Sequence, residues 1–437
     1  MKIGKTQPII GLILVVLIAV FGKYLSNSSD SLTLYLITGV LLGYVLTRSR
    51  YGFAGGIKRI YFTGEGGLTK ALLIMFAVSI VAAAGIHWGA AADGAVPAFR
   101  AAATDAIIPG TTSVIFFNYA TVIGGFLFGV GMMLGGGCAS GTLTDLGEGF
   151  FRAFITLCFF VLGSMPGYAV QKQILETDLG QIGARIYLPD VFGYIGTVLL
   201  SLLLLLGLYV LTRRYEESRK RMGYYQETVY EENEKPLKEE QGFKLFSYQT
   251  YHKFFVERWS FLTGGLLLAV LFIFIINTTG KSWGVTSAFN LWGVAIFHNL
   301  GFDFSPVFND IVDTANKGVL NDNGSIRNIG IILGSTLALL LAGRFRFDFD
   351  FRFKDTMYYA LGGFLMGFGA RLAGGCNIGA LYSGIGNLSL SGWVFMATLI
   401  LGGISALKFY EGKVNVIPTR DFKCCKQTVL KEEKINA

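Results

Sequence analysis

Long apolar runs constrain this chain before anything else does. Stretches such as 191–211, VFGYIGTVLLSLLLLLGLYVL, and 260–279, SFLTGGLLLAVLFIFIINTT, carry no charged side chain, and about twenty such residues cross the hydrocarbon of a bilayer as a helix. Unsatisfied backbone groups are costly in lipid, so only helices or a closed barrel can span it, and these runs are continuous rather than alternating. Only 15% of the 437 residues are charged, against about 25% in a soluble globular chain. The expected fold is all-α: a polytopic helical membrane protein with the lipid bilayer as its surroundings. About ten spans are readable, at 8–21, 32–47, 69–88, 113–134, 153–169, 191–211, 260–279, 326–342, 357–370 and 392–407. The first imitates a signal peptide but has no small-residue cleavage site after Phe21, so it is kept as a helix.

The net charge of +8 follows from where the basic residues lie. Arg48, Arg50, Lys58, Arg59 and Lys70 follow the second span, Arg213, Arg214, Arg219, Lys220 and Arg221 the sixth, and Arg344, Arg346, Arg352 and Lys354 the eighth. All three sets share one side if both termini are cytoplasmic, which is the positive-inside bias and calls for no nucleic-acid partner. Loops 89–112, 171–190 and 299–323 then face outward with few basic residues.

A second feature organises the spans. The stretch 362–384, GGFLMGFGARLAGGCNIGALYSG, repeats one that begins at Gly124, GGFLFGVGMMLGGGCASGTLTDL. A shift of 238 aligns Gly124 with Gly362, Gly137 with Gly375 and Cys138 with Cys376, and 12 of the first 20 positions are identical. The loop charges turn the second copy over relative to the first, which is the inverted-repeat plan of many transporters. The chain divides on this reading into an N-terminal helix and loop (1–31), membrane repeat 1 (32–170), an extra helix (171–212), a cytosolic linker (213–258), inverted membrane repeat 2 (259–408) and a basic cytosolic tail (409–437). Two further segments, 51–60 and 282–300, are apolar but broken by glycine and polar residues and hold matching places in the repeats. They enter the membrane and return on the same side, or lie as short interfacial helices. With the two cysteine loops they make four candidate re-entrant elements.

Gly135, Gly136 and Gly137 before Cys138, and Gly374 and Gly375 before Cys376, suit a place where a helix ends and a ligand comes close. Exposed N–H groups leading into a short helix favour an anion there. Tight helix packing accounts for Gly124, Gly125, Gly362 and Gly363, but serine or alanine would pack as well as the cysteines. The permeation candidates are Cys138, Cys376, Gly137, Gly375 and the adjoining Ser140 and Asn377, with Arg371 to attract an anion to the mouth or snorkel to lipid. Asp145 and Glu148 read as caps or loop bonds, Cys158 as core, and His87, His252 and His298 as isolated loop or interfacial residues without metal-ligand spacing. Cys424 and Cys425 lie in the tail. A disulfide or redox pair requires the two loop thiols close together. Neutral S–H groups that meet a soft sulfur-containing anion suit permeation better than covalent chemistry. No metal, cofactor or catalytic residue is expected. The stretch 344–353, RFRFDFDFRF, alternates at the period of an extended strand.

At GCASGTLTDLGEG, GFGARLAGGCNIGALYSG, WGVTSAF (Trp283 to Phe289) and SGWVF (Ser391 to Phe395), the chain resembles the YeeE/YedE family of bacterial inner-membrane proteins. The resemblance implies uptake of sulfur compounds, thiosulfate above all and selenium compounds in some branches. It also implies that Cys138 and Cys376 hand the anion through a narrow path. Some members carry a further cysteine in the element after the first core helix, where this chain has Gly52. The expected function is an inner-membrane permease for a small sulfur oxyanion, with a cytosolic sulfur-carrier protein as a further candidate partner. The alternatives are a membrane redox or sulfur-transferase component using the same cysteines, and a transporter of a selenium compound.

Overall fold

The computed structural model describes residues 6–227, 231, 234–237, 247–302, 305–349 and 351–420; Cys424 and Cys425 lie outside them. In chain order the helices that build the core and its flanks are α1 (Thr6–Ser26), α2 (Asp30–Arg48), α3 (Phe53–Thr63), α4 (Gly67–Ala92), α5 (Tyr119–Leu134), α6 (Ala139–Gly147), α7 (Phe151–Leu175), α8 (Leu188–Arg221), α9 (Phe261–Thr279), α10 (Thr286–Asn299), α11 (Asn323–Leu341), α12 (Phe353–Leu372) and α13 (Leu390–Tyr410). All ten expected spans fall on helices of this set, the fourth only from Tyr119 because 117–118 form a strand, and α3, α6 and α10 are the short ones between them. Among the described residues nine helices are long and apolar enough to cross a membrane, α12 being the expected span that is not among them. The protein is an all-α, multi-pass membrane protein. Strand structure among the described residues is confined to the pairing of Phe117–Asn118 with Gly183–Ala184. Helix α12 carries Lys354, Asp355 and Arg371 and is less apolar than the other spans; it lies against both α5 and α7.

The two copies of the glycine motif face each other. A Cβ on Gly124 would stand 2.6 Å from the carbonyl oxygen of Gly369, and one on Gly369 would stand 2.5 Å from that of Gly124. At the other end of the crossing, a Cβ on Gly131 would stand 2.6 Å from the Gly362 oxygen, and one on Gly362 2.5 Å from the Gly135 nitrogen. Residue numbers rise along α5 as they fall along α12, so the helices are antiparallel. The 238 shift carries the pair Gly124 and Gly369 onto Gly362 and Gly131. A twofold axis across the helices generates this arrangement, and glycine lets the two backbones approach closely enough for it.

The remaining packing obeys the same exchange. Contact of α7 with α12 is matched by α13 with α5, α2 with α11 by α9 with α4, and α3 on α13 by α10 on α7. Helices α1 and α8 stand outside this exchange, with Leu12, Val16, Ile195 and Leu203 exposed as expected of lipid-facing side chains. Helix α8 runs to Arg221, well past the apolar stretch that ends at Leu211. Its charged last turns are good helix formers, tied by Arg213–Glu217 at 3.1 Å and Lys220–Glu216 at 3.0 Å.

The short elements are re-entrant. After α12 the chain turns inward through helical turns at Asn377–Tyr382 and Ser383–Gly386. There the Tyr382 hydroxyl lies 2.7 Å from Ser79 Oγ, at the midpoint of α4. By Leu388 the chain is back at the end it left, where its carbonyl accepts from the N–H of Leu188, at the start of α8, at 2.9 Å. Helix α6 likewise reaches the middle of α11, where Thr336 Oγ1 donates to the Gly147 carbonyl at 2.8 Å. Residues 149–151 then return to the chain around Asp348. The first residue of α3 and the segment just before α10 reach the same depth, since the rings of Phe53 and Trp283 lie 6.2 and 6.4 Å from that of Tyr382.

The glycine crossing yields a stability contrast. Gly131→Ala drives a methyl into the Gly362 backbone and is expected to cost about 1–3 kcal/mol. Gly207→Ala on α8, where nothing lies within 4 Å of the added Cβ, gains up to about 1 kcal/mol of helix propensity. Thermal unfolding in detergent of the two variants should move in opposite directions.

Candidate functional site

Each core helix of the repeat ends in the same bend. Gly136 has φ +81° and Gly374, 238 positions on, has φ +72°, the left-handed region that side chains resist. Beyond the bend Cys138 and Cys376 occupy the positions that open their short helices, both with extended backbones. The Cys138 carbonyl accepts from the Thr142 N–H at 2.7 Å, and the Cys376 carbonyl from the Ala380 N–H at 2.8 Å. Sγ of Cys138 lies 3.3 Å from Ser140 Oγ, while Cys376 Sγ accepts from the Ile378 N–H at 3.4 Å. Both are free thiols, 1% and 0% exposed, and they lie within electrostatic reach of each other. Cys158 is a free, half-buried thiol on α7.

The other expected residues divide by environment. Gly137 faces the Asp145 carboxylate, 3.6 Å from where its Cβ would stand, whereas a Cβ on Gly375 would meet the Ala380 nitrogen at 2.7 Å. Packing alone therefore demands glycine at 375. Asn377 donates through Nδ2 to Met132 Sδ at 3.2 Å, and its Oδ1 finds no partner among the described residues. Arg371 turns inward instead of toward lipid: Nη2 donates to Thr286 Oγ1 at 2.8 Å, and Nε has no partner among the described residues. Asp145 is not a cap, whereas Glu148 holds the C-cap position of α6. Asp145 pairs with Arg152 at 2.7 Å and Glu148 with Arg50 at 3.1 Å. Nor is His87 a loop residue; it lies fully buried in α4, 2.8 Å from the Tyr187 hydroxyl.

Several residues of the site carry too weak a sequence signal to find alone. The dipeptides Tyr51–Gly52 and Trp283–Gly284, related by a shift of 232, precede the two short helices α3 and α10. Among the described residues the Tyr51 hydroxyl and Trp283 Nε1 are buried without partners, and a Cβ on Gly52, Gly284 or Gly379 would meet nothing within 4 Å. Open space thus lies beside both short helices and the second cysteine loop. Tyr382 closes the centre, its ring 4.4 Å from Phe272 and 5.4 Å from Phe76.

The two ends of this core differ in how many charged side chains line them. A cavity of about 200 Å3 near Gly374 is lined by Ile115, Phe116, Asn118, Arg185 and Leu372. One of about 430 Å3 at the other end is lined by Arg50, Glu148, Glu231, Arg344 and Asp348. There the segment after α8 folds back onto the core: Glu234 pairs with Arg50 at 3.3 Å and with Arg344. Burial would raise the Glu234 carboxyl, but the Arg344 and Arg50 guanidiniums outweigh it and hold the group below the usual carboxylate value.

A family model described as sulphur transport matches residues 48–405. The chain is 28% identical over 375 residues to the thiosulfate transporter TsuA of Escherichia coli (strain K12), covering 84% of this chain and 91% of that one. It is 29% identical over 297 residues to the thiosulfate transporter TsuA of Spirochaeta thermophila, 64% of this chain and 74% of that one. A probable transporter, YedE of Escherichia coli (strain K12), is 26% identical over 173 residues, 39% of this chain and 43% of that one.

The bend before Cys376 separates strain from space. Gly374→Ala places a side chain at φ +72° and against Ile115, at an expected cost of about 1–2 kcal/mol. Gly379→Ala, added into open space, should leave the thermal midpoint of the purified protein close to that of the wild type.

Proposed function

The chain belongs to the sulphur transport family, and on that premise we propose that it is a permease taking up a small sulfur-containing anion, thiosulfate, across the inner membrane. With both termini cytoplasmic, Cys376 stands toward the outside and Cys138 toward the cytosol, and the anion passes from the first to the second. What supports this above all is the pair of free, buried thiols at equivalent helix openings, turned over by the repeat.

The mechanism follows from the softness of sulfur. A terminal sulfur carrying much of the anion's charge accepts weak S–H hydrogen bonds well, and thiols kept neutral beside an anion avoid repelling it. Two such contacts in series hold the anion loosely enough to release it, a requirement for conduction through multi-site paths. The open faces at Gly52, Gly284 and Gly379 leave room for passage, and the aromatic packing around Tyr382 excludes bulk water. No bond is made or broken in this scheme. Release occurs at the arginine-rich end, where a cytosolic sulfur-carrier protein is the candidate acceptor.

Uptake of 35S-labelled thiosulfate into intact cells tests the relay. Cys138→Ala and Cys376→Ala should each reduce initial uptake at least tenfold (about 1.4 kcal/mol of lost stabilisation) at equal protein in the membrane, and unchanged uptake in both would contradict it. Mass spectrometry of the trapped thiols after turnover should find both unmodified. A persulfide on either supports the sulfur-transferase alternative instead.

A further inference from the structure

Thiosulfate and its chemical relatives have two unlike ends, a soft sulfur and a hard, oxygen-bearing one. The thiols suit the first; the second requires N–H and O–H donors. A corner between α7, α10 and α12 supplies them. Arg371 reaches from α12 to Thr286, at the start of α10, and by accepting from Arg371 Nη2 the Thr286 hydroxyl keeps its own hydrogen free to donate. One turn further along the same face of α10 lies Asn290, 1% exposed, whose Nδ2 has no hydrogen-bond partner among the described residues. Its Oδ1 is turned to Ser164 Oγ, 3.5 Å away on α7.

Helix α7 closes the corner. Three residues after Ser164, Gly167 packs against Arg371, so closely that a Cβ there would lie 3.1 Å from the arginine Cβ. Arg371 and Asn290 are therefore neighbours across the Thr286–Ser164 edge. Among the described residues no carboxylate pairs with Arg371, and its Nε is buried without a partner. An unmet buried donor costs about 1–3 kcal/mol, so two of them, one on the unpaired cation itself and one on Asn290, mark a place that an anion completes. Arg371 also stands five positions before Cys376 in the chain and within electrostatic reach of it, which brings the cation of this corner toward the thiol.

We propose that Arg371, Thr286 and Asn290 form the seat for the oxygen-bearing end of the anion while Cys376 takes its sulfur. The seat rests on the permease reading above. It makes the permease specific for anions that carry both ends, so that sulfate lacks the contact to Cys376 and hydrosulfide lacks the contacts to the seat. The first half does not repeat this seat: the repeat shifts put Met133 at the place of Arg371 and Ala54 at that of Thr286, and only Lys58, at the place of Asn290, carries a donor.

Uptake of 35S-thiosulfate by proteoliposomes separates the possibilities. Asn290→Asp, which keeps the side-chain size and adds a negative charge, and Thr286→Val, which removes only the hydroxyl, should each raise the KM for thiosulfate at least tenfold. Inhibition of uptake by sulfite should weaken in parallel, while inhibition by hydrosulfide stays at the wild-type level, a split that a general loss of structure does not produce. Wild-type KM in either folded variant, with wild-type protein active, overturns the seat alone. Wild-type protein that carries no thiosulfate overturns the permease reading and the seat with it.

Discussion

The close antiparallel crossing of α5 and α12 is the contact on which the rest of the structure depends. Four glycines, Gly124, Gly131, Gly362 and Gly369, bring two backbones together where any side chain would intrude. Because the same sequence supplies both helices, the crossing is symmetric about an axis lying across them. That symmetry turns one bend, at Gly136 and Gly374, into two openings that face opposite ends of the core. In lipid, where no hydrophobic force favours one helix partner over another, such backbone contact is a principal source of specific association.

Function follows from what the crossing leaves at its ends. A chain that turns back in mid-membrane exposes N–H groups and short helix openings at a depth where unmet polar groups are expensive, so protein or solute must cover them. Here aromatic side chains cover most of the surface, and glycine faces leave the rest open. The halves have diverged within this frame. The second carries Arg371, Asn377 and Tyr382 around its thiol, and the first carries Lys58, Asp145 and Arg152. A two-ended path for an anion needs that inequality as much as it needs the symmetry, since capture from one side and release to the other are different tasks.

Much of this was legible in the sequence, for physical reasons. Apolar length marks a span whatever its partners, so the long helices were placed, the fourth with its start six residues early, and glycines that flank a cysteine mark a broken helix at either copy. The alternation in 344–353 agrees with the non-helical course of its described residues up to Arg352, where Phe347 and Phe349 stack on each other and Phe349 packs against Phe151, although Phe353 already opens α12. What escaped depends on side chains that meet across the fold. Asp145 and Glu148 read as caps or loop bonds without their partners Arg152 and Arg50, and Arg371 reads equally as an anion attractor and a lipid anchor until α10 offers Thr286. His87 gives no sign of its burial because Tyr187 is a hundred residues away. The charged end of α8 breaks the apolar pattern but not the helix, since its Arg, Lys and Glu residues are strong helix formers.

Direct sight of the anion on the axis tests the central claim. Selenosulfate carries selenium in place of the terminal sulfur of thiosulfate, so anomalous diffraction from crystals soaked in it locates the soft end of the ligand. A selenium peak within van der Waals distance of Cys376 Sγ or Cys138 Sγ, lost in the double variant Cys138→Ala/Cys376→Ala, is the expected result. Selenium found only at the protein surface, or unchanged in the core when both thiols are removed, would contradict a path built around the two cysteines.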